Sequence, residues 1–297
     1  MKFKYFIQLT VLASIWGGSF LFTRISVAEF GAIPLSAVRS AIAAMALLPI
    51  LYMSNQWTVF KQNWLHILVV GLISTAIPFS FISITTQYTS AGFASILNSL
   101  TPIFSAIVAW LWLKEYLSIP AVIGIGLSFV GVLVMVMDSD TISSDFTLLP
   151  ILTGLGATTL YGLTGNYSRK FLSGVPPIAI SAGCQFFAAL ALLPFAYYAW
   201  PATPISNAAW TYALILGVIC TAVAFILYFH LLEHIGVART VIVTYMVPVF
   251  AMTWGNLFLD ELITYKMLLG AAFILTGIGL TTGLLSKKFI KETVNEN

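Results

Sequence analysis

The chain has 297 residues, of which 60% are hydrophobic and only 8% are charged, with a formal net charge of +3 at pH 7. A soluble domain carries about 25% charged residues, so this composition excludes a water-soluble particle and predicts that much of the surface faces lipid. The small net charge and the absence of a long basic run argue against a nucleic-acid partner.

Ten apolar stretches are long enough to cross a membrane as helices, because a hydrocarbon core of about 30 Å requires roughly 20 residues. In chain order they are Phe6–Ala28, Ile33–Met53, Trp64–Thr86, Phe93–Leu113, Ile119–Met137, Leu148–Tyr167, Pro177–Ala199, Trp210–Leu232, Val237–Leu259 and Met267–Leu285. These runs are too long for the strands of a membrane barrel and do not alternate in polarity. The sequence therefore predicts an all-α integral membrane protein with ten transmembrane helices.

The positions of lysine and arginine predict the orientation of the chain. With a cytoplasmic N-terminus, ten basic residues fall on the inner side, while only Arg24 and Lys266 fall on the outer side. Such a bias is typical of cytoplasmic loops. We therefore expect a multi-pass protein of the cell (inner) membrane with both termini in the cytoplasm.

The two halves of the sequence repeat one another. Pro102 and Pro248 each precede a glutamate, Glu115 or Glu261, by 13 residues. Trp16-Gly17 and Arg24 likewise correspond to Tyr161-Gly162 and Arg169, at an offset of 145 residues. We divide the chain into residues 1–140 and 141–297, each with five spans. Because five is odd, the second copy must enter the membrane inverted, as in many secondary transporters with a central cavity.

At these residues the sequence resembles the EamA-type family of the drug/metabolite transporter superfamily. The resemblance is carried by Trp16-Gly17-Gly18-Ser19-Phe20, by Pro34 with Arg39, by Leu100 to Phe104 with Glu115, and by Val247 to Phe250 with Glu261. It covers nearly the whole chain. It implies ten helices, cytoplasmic termini, a central cavity and movement of small metabolites, often amino-acid efflux. One departure is that Cys184, beside Gln185, occupies the position equivalent to Arg39.

Arg39 is the strongest candidate for a substrate contact, because it is the one charge clearly away from a predicted helix end. Charges within the hydrocarbon are costly and mark functional sites. A guanidinium there could hold a carboxylate or a phosphate through two hydrogen bonds. The structural alternative is that Arg39 extends to the outer interface or pairs with Glu29.

Polar and aromatic residues at mid-span depth in both halves complete the predicted cavity. Besides Arg39, the candidates are Trp16, Ser19, Phe20, Asn98, Tyr161, Asn166, Gln185, Thr244 and Tyr245. Pro102 and Pro248 are predicted hinges, since each frees a carbonyl one turn back, at Asn98 or Thr244. Interhelical hydrogen bonding without a ligand is the alternative for each residue.

The carboxylates are informative because they fall at helix ends: Glu29, Glu115, Glu233, Asp260 and Glu261. A proton-coupled exporter of cations would be expected to carry a buried acid. We therefore favour a neutral, zwitterionic or anionic solute.

His230, Glu233 and His234 match the H-x-x-E-H spacing of some zinc peptidases. A third ligand is not evident, so we predict no metal site, no cofactor and no catalytic residues. Glycines such as Gly279 and Gly283 would suit close helix packing within the fold or in a homodimer.

The sequence thus predicts a secondary transporter that exports or exchanges small metabolites, with amino acids or related amphipathic solutes first. Phosphorylated or nucleotide-linked sugars are the alternative substrates. A zinc peptidase and a non-transporting membrane receptor are the alternatives of another class.

Overall fold

A computed structural model describes residues 3–137, 148–240, 242–283 and 285. Its ten long helices, labelled α1–α10, are Phe3–Phe30, Ala32–Met53, Trp64–Tyr88, Ala91–Leu113, Ile119–Val136, Leu148–Phe171, Pro177–Tyr198, Asn207–Gly236, Ile242–Leu259 and Tyr265–Thr281. A short helix, Trp57–Gln62, precedes α3. The predicted all-α class is confirmed for the described residues, and the division predicted at residue 140 falls outside them.

Nine of these helices, α1 to α9, are long and apolar enough to cross a membrane, whereas α10 has 17 residues. The predicted spans lie close to the observed helices, with the largest extension at α8, which begins at Asn207 and ends at Gly236. Large apolar side chains cover the outer faces of the bundle, for example Leu133, Leu193 and Phe195. This surface is the one expected against lipid.

Hydroxyl caps define several helix starts. Ser90, Ser118, Ser206 and Thr264 each accept a hydrogen bond from the backbone N–H three residues further on, over 3.1 to 3.4 Å. Such caps satisfy backbone donors that would otherwise have no partner at the first turn. Ser118 and Thr264 occupy equivalent positions in the two halves.

Two helices contain a wide turn at equivalent depth. α3 is π-helical over Leu72–Ala76, and α8 is π-helical over Val218–Val223. π-turns inside α-helices are uncommon and frequent at functional sites. Each of these segments carries a buried threonine, Thr75 in α3 and Thr221 in α8.

The two proline-containing helices differ. α4 is interrupted, with one segment ending at Asn98 and the next, Thr101–Leu113, carrying Pro102 at its second position. α9 continues through Pro248 without interruption. Before α9, Gly236 breaks the helical course with a φ of 76°, a conformation that glycine adopts readily.

Glycines bring equivalent pairs of helices into close contact. α1 packs on α9 where Gly17 faces the backbone of Phe250 and Ala251, and α6 packs on α4 where Gly162 faces Phe104 and Ser105. α5 and α10 cross through Gly131 and Gly270, each of which lies against the other's carbonyl oxygen. Gly124 and Gly277 form a second such pair further along the same helices.

The remaining helices complete the bundle. α2 packs along α7, and each of these two also contacts a helix with a π-turn, α2 with α8 and α7 with α3. The glycine before each π-turn lies at the contact: Gly217 approaches the carbonyl of Arg39, and Gly71 approaches the backbone of Cys184. The fold thereby places Arg39 and Cys184 in matching surroundings.

Candidate functional site

Arg39 lies inside the bundle and is held by two other helices. Its Nε donates a hydrogen bond of 2.9 Å to Thr221 Oγ1, which in turn donates to the carbonyl of Leu216. The guanidinium also lies over the ring of Phe79 on α3, 4.0 Å from the ring centre. It is largely withdrawn from solvent, while the residue as a whole retains some exposed surface.

The pairing of Arg39 with Glu29, one of the structural alternatives, does not form. Glu29 accepts hydrogen bonds from the backbone N–H and the hydroxyl of Ser206, at 2.7 and 2.8 Å, just before α8. The described residues contain two ion pairs, and neither includes Arg39. Within the described residues the cation of Arg39 is therefore without a carboxylate partner.

Three of the predicted aromatic residues belong to one apolar cluster, which reaches Arg39 through Tyr161. Trp16, Phe20 and Tyr161 belong to one apolar cluster, and Tyr161 is also among the titratable groups that interact electrostatically with Arg39. Trp16 packs against Tyr228 of α8 with ring centres 5.4 Å apart. Arg39 of α2 is thus approached by side chains from α3, α6 and α8.

Other predicted residues are engaged elsewhere in hydrogen bonds within the fold. Ser19 donates to the carbonyl of Trp16 one turn earlier. Asn166 donates to the carbonyl and hydroxyl of Ser105, at 2.9 and 3.2 Å, and so joins α6 to α4. Tyr245 lies 3.2 Å from the hydroxyl of Thr282, just beyond α10, and packs in the cluster between α4, α5 and α10.

Two predicted amide side chains, those of Gln185 and Asn98, have buried atoms without a hydrogen-bond partner. Gln185 is fully buried, and neither its amide nitrogen nor its oxygen is bonded; the side-chain oxygen of Asn98 is in the same condition. The carbonyl of Asn98, predicted to be freed by Pro102, accepts a hydrogen bond from Thr101. Thr244 lies on α9 one turn before Pro248, as predicted, and is partly buried.

Sequence reasoning did not find Thr221, Phe79 or Tyr228. A signal for Thr221 was available, because Thr75 stands at the matching position of the first half, 146 residues earlier. Phe79 and Tyr228 are aromatic residues in apolar stretches, and no feature of the sequence separates them from ordinary core residues.

An apolar groove elsewhere on the bundle contains none of the predicted site residues. It has a volume of about 490 Å³ and lies between α2 and α7, lined by Ala37, Val38, Ala41, Ala189, Leu193, Ala196, Tyr197 and Trp200. Leu193 and Tyr197 are exposed on the outer surface. The groove therefore opens on the outer surface of the bundle, and neither Arg39 nor Thr221 nor Phe79 lines it.

Equivalent ion pairs lie at the two ends of α4. Glu261 accepts the backbone N–H of Ala91, where α4 begins, and lies 3.9 Å from Arg24. Glu115, just beyond the end of α4, pairs with Arg169. Burial raises the pKa of Glu261, and the N–H of Ala91 and the charge of Arg24 partly offset that rise.

The H-x-x-E-H segment lies at the end of α8. The rings of His230 and His234 are 4.2 Å apart, and Nδ1 of His234 is 2.8 Å from the carbonyl of His230. Among the described residues there is no group of three histidine, cysteine or acidic side chains that could hold a metal ion.

The fold and the arrangement of its apolar surfaces define a multi-pass integral membrane protein. The chain belongs to the EamA-like transporter family, whose model matches it twice, over residues 4–137 and 148–283. The family expected from the sequence motifs is thereby confirmed.

Relatives from two prokaryotes match nearly the whole chain. An uncharacterized transporter of Archaeoglobus fulgidus is 24% identical, over 93% of this chain and 97% of its own length. The uncharacterized transporter YoaV of Bacillus subtilis is also 24% identical, over 96% and 99%. One solved crystal structure of a protein shares the fold, with a TM-score of 0.68. The two chains are 16% identical, and the match covers 96% of this chain and 98% of the other.

Proposed function

We propose that this protein is a secondary transporter that exports or exchanges small amphipathic metabolites by alternating access, with amino acids among the candidate substrates. The observation that carries the proposal is the Arg39 guanidinium, anchored inside the bundle through Nε and Phe79 while no described carboxylate pairs with it. Such a cation in a membrane domain is costly, and a bound anionic group would compensate it.

The repeated architecture supports alternating access. Contacts recur in matched pairs: Gly17 with α9 and Gly162 with α4, or Arg24 with Glu261 and Arg169 with Glu115. The two ion pairs lie at opposite ends of α4, as an inverted repeat requires. We propose ten crossings, with units at residues 1–140 and 141–297, a central cavity near Arg39 and both termini in the cytoplasm of the cell (inner) membrane.

The tenth crossing is supported by how α10 packs. Its 17 residues would span about 26 Å as an α-helix, close to the hydrocarbon thickness of roughly 30 Å. Its glycines contact α5 at two levels, through Gly277 and Gly270. Because these contacts lie within one chain, the small-residue faces of α5 and α10 serve the fold, and a homodimer would need another surface.

A carboxylate is favoured over a phosphorylated or nucleotide-linked sugar. A phosphate group carries up to two negative charges and usually recruits several cations or backbone donors. In the described spans Arg39 supplies one cation, and the equivalent position holds Cys184. One guanidinium matches one carboxylate.

Flux from proteoliposomes tests the proposal. Vesicles are loaded with a mixed pool of amino acids, organic acids, nucleosides and sugar phosphates, and the loss of each is followed by mass spectrometry. We expect selective loss of carboxylate-bearing amphipathic solutes, abolished by Arg39→Gln. Arg169→Gln is the matched control, because it removes an exposed arginine near a helix end. No selective flux from folded protein would refute transport.

A further inference from the structure

We infer that the Arg39 site selects solutes with one negative charge, no ammonium group and an apolar body, in preference to zwitterionic amino acids of the same shape. This inference rests on the proposed transport function and names the substrate class of the same site. It follows from the charges that the described residues place around Arg39 and from those that they place elsewhere.

All of the described carboxylates lie at or near helix ends. Glu29 binds Ser206, Glu115 binds Arg169, and Glu261 binds Ala91 and Arg24. Glu233 and Asp260 are exposed at the ends of α8 and α9. An amino acid bound through its carboxylate at Arg39 would therefore bring an ammonium group into the bundle without a carboxylate to receive it, and burying an unpaired charge is unfavourable.

The neutral groups near Arg39, which include Tyr161 and Cys220 as well as Thr221 and Phe79, supply no negative charge to pair with an ammonium group. Thr221 Oγ1 accepts the hydrogen bond from Arg39 Nε and donates its own hydrogen bond to the carbonyl oxygen of Leu216. The face of Phe79 is covered by the guanidinium itself. An ammonium next to Arg39 would also be repelled by it, because both are cations in a poorly solvated region.

A second negative charge on the solute would be equally unmatched. Cys184 occupies the place that corresponds to Arg39, packed against Gly71 beside the π-turn of α3. It is neutral and buried, with Sγ directed to the carbonyl of Ile67 at 3.7 Å. The pseudo-symmetric scaffold thus offers one cation, and a dicarboxylate would leave one charge uncompensated.

The apolar cluster that reaches Arg39 through Tyr161 suits an apolar or aromatic body on the solute. Trp16, Phe20 and Tyr161 share one cluster, and Trp16 packs on Tyr228. Aromatic side chains bury large apolar area with few rotatable bonds. A solute with a single carboxylate and an aromatic or branched apolar tail would satisfy both the guanidinium and this cluster.

Four ligands that share a phenyl group test the inference on the wild-type protein. They are 3-phenylpropanoate, phenylalanine, which adds the ammonium, 2-phenylethylamine, which lacks the carboxylate, and benzylsuccinate, which adds a second carboxylate. Binding is read from thermal stabilisation in detergent, and transport from flux into proteoliposomes. We expect 3-phenylpropanoate to bind at least about tenfold more tightly than each of the other three, as an unpaired buried charge costs more than one hydrogen bond.

The outcomes separate the inference from the proposed function. Equal or tighter binding of phenylalanine or benzylsuccinate would overturn the inference, and so would the absence of binding by all four. Binding in the expected order without flux would uphold the ligand class and refute transport. In Arg39→Lys, the four ligands should keep the same order of affinity, with weaker binding of each carboxylate. If 3-phenylpropanoate kept the same affinity ratio over the other three ligands in Arg39→Gln, the inference would also be overturned.

Discussion

Arg39 is fixed by its Nε atom, which leaves the two terminal nitrogens of the guanidinium for a ligand. A planar guanidinium presents its donors in a rigid fork that matches a carboxylate. Thr221 and Phe79 therefore act as positioning residues: one fixes the near end of the group and the other supports its face. Lysine would keep the charge and lose the planar fork of donors.

Replacing Thr221 by valine should weaken substrate binding without removing it. The change deletes the 2.9 Å hydrogen bond from Arg39 Nε and keeps the shape of the side chain. We expect KM to rise about three- to tenfold, equivalent to roughly 1 kcal/mol, with a smaller effect on kcat. The measurement is concentration-dependent flux in proteoliposomes.

Thr75→Val is the matched control for this substitution. Thr75 stands at the equivalent place in the π-turn of α3, where its hydroxyl contacts Ser74 and the neighbouring helix carries Cys184. A comparable increase in KM for both variants would show that the π-turn matters in general and that Thr221 has no specific role in holding Arg39.

Glu261, which lies between α9 and α10 outside the spans, makes the stability of the protein depend on pH. Because burial raises its folded-state pKa above the ordinary 4.5, folding favours the protonated carboxyl. Its contribution to stability is therefore fully present below pH 4.5 and is lost as pH rises through the raised folded pKa. Relative to Glu261→Gln, the unfolding temperature of the wild type should therefore fall as the pH rises above about 4.5.

Thermal unfolding in detergent across this pH range measures the difference. Glu115→Gln is the control, since it removes the equivalent loop carboxylate, which is half-exposed beside Arg169. A difference between wild type and Glu261→Gln that stayed constant with pH, or grew in favour of the wild type, would contradict the prediction.

At the scale of helices, glycines let neighbouring helix backbones come close together, and these contacts hold the bundle together. Without a hydrophobic driving force between helices in lipid, close packing of small residues carries much of the association. Gly17 and Gly162 allow α1 to meet α9 and α6 to meet α4. A side chain at either position would push against backbone atoms, which cannot move aside as a flexible side chain can.

Gly17→Ala and Gly162→Ala should each destabilise the protein by roughly 1–3 kcal/mol, the usual cost of overpacking. A Cβ at Gly17 would lie 2.6 Å from Phe250 Cβ, and one at Gly162 would lie 2.6 Å from the Ser105 nitrogen. Gly126→Ala is the control, because nothing lies within 4 Å of its Cβ position. The measurement is the unfolding temperature of each variant in detergent. Equal decreases at all three sites would show that close packing at Gly17 and Gly162 is not the cause.

Helix positions could be predicted from sequence because hydropathy and proline or serine boundaries are local. The matched pairs Gly17 and Gly162, or Glu115 and Glu261, were visible because the repeat preserves their spacing. The interruption of α4 at Ser99 and the continuity of α9 were not, since both helices contain the same proline.

The candidate site was predictable only in part. Arg39 is recognisable from one sequence, as its charge stands alone in an apolar stretch. Asn166 and Tyr245 carry the same polar signal and are used in contacts between elements, with Ser105 and Thr282. Polarity indicates that a side chain needs a partner, and the fold decides whether the partner is a helix or a ligand.

At the scale of the whole molecule, the inverted arrangement can be tested by labelling two equivalent loops. Tyr116 and Leu262 follow Glu115 and Glu261 and are 89% and 71% exposed. Native Cys184 and Cys220 are buried, so background labelling is expected to be low. In intact cells, a membrane-impermeant thiol reagent should modify Leu262→Cys and spare Tyr116→Cys.

Permeabilised cells provide the control, because both cysteines should then react. If both cysteines were labelled in intact cells, the two loops would lie on the same side, and the inverted repeat would be wrong. Labelling of Tyr116→Cys alone would keep the inversion and reverse the proposed orientation.

The replacement of an arginine by Cys184 also bears on kinetics. A solute bound by Arg39 would lie off the pseudo-two-fold axis, because the equivalent position holds Cys184. Its surroundings would therefore differ between the outward-open and inward-open forms. Half-saturation concentrations measured from the two faces would then differ. For simple facilitated movement without a membrane potential, detailed balance still requires equal ratios of maximal rate to half-saturation concentration in both directions. The face with the higher half-saturation concentration must therefore be the one with the faster maximal rate.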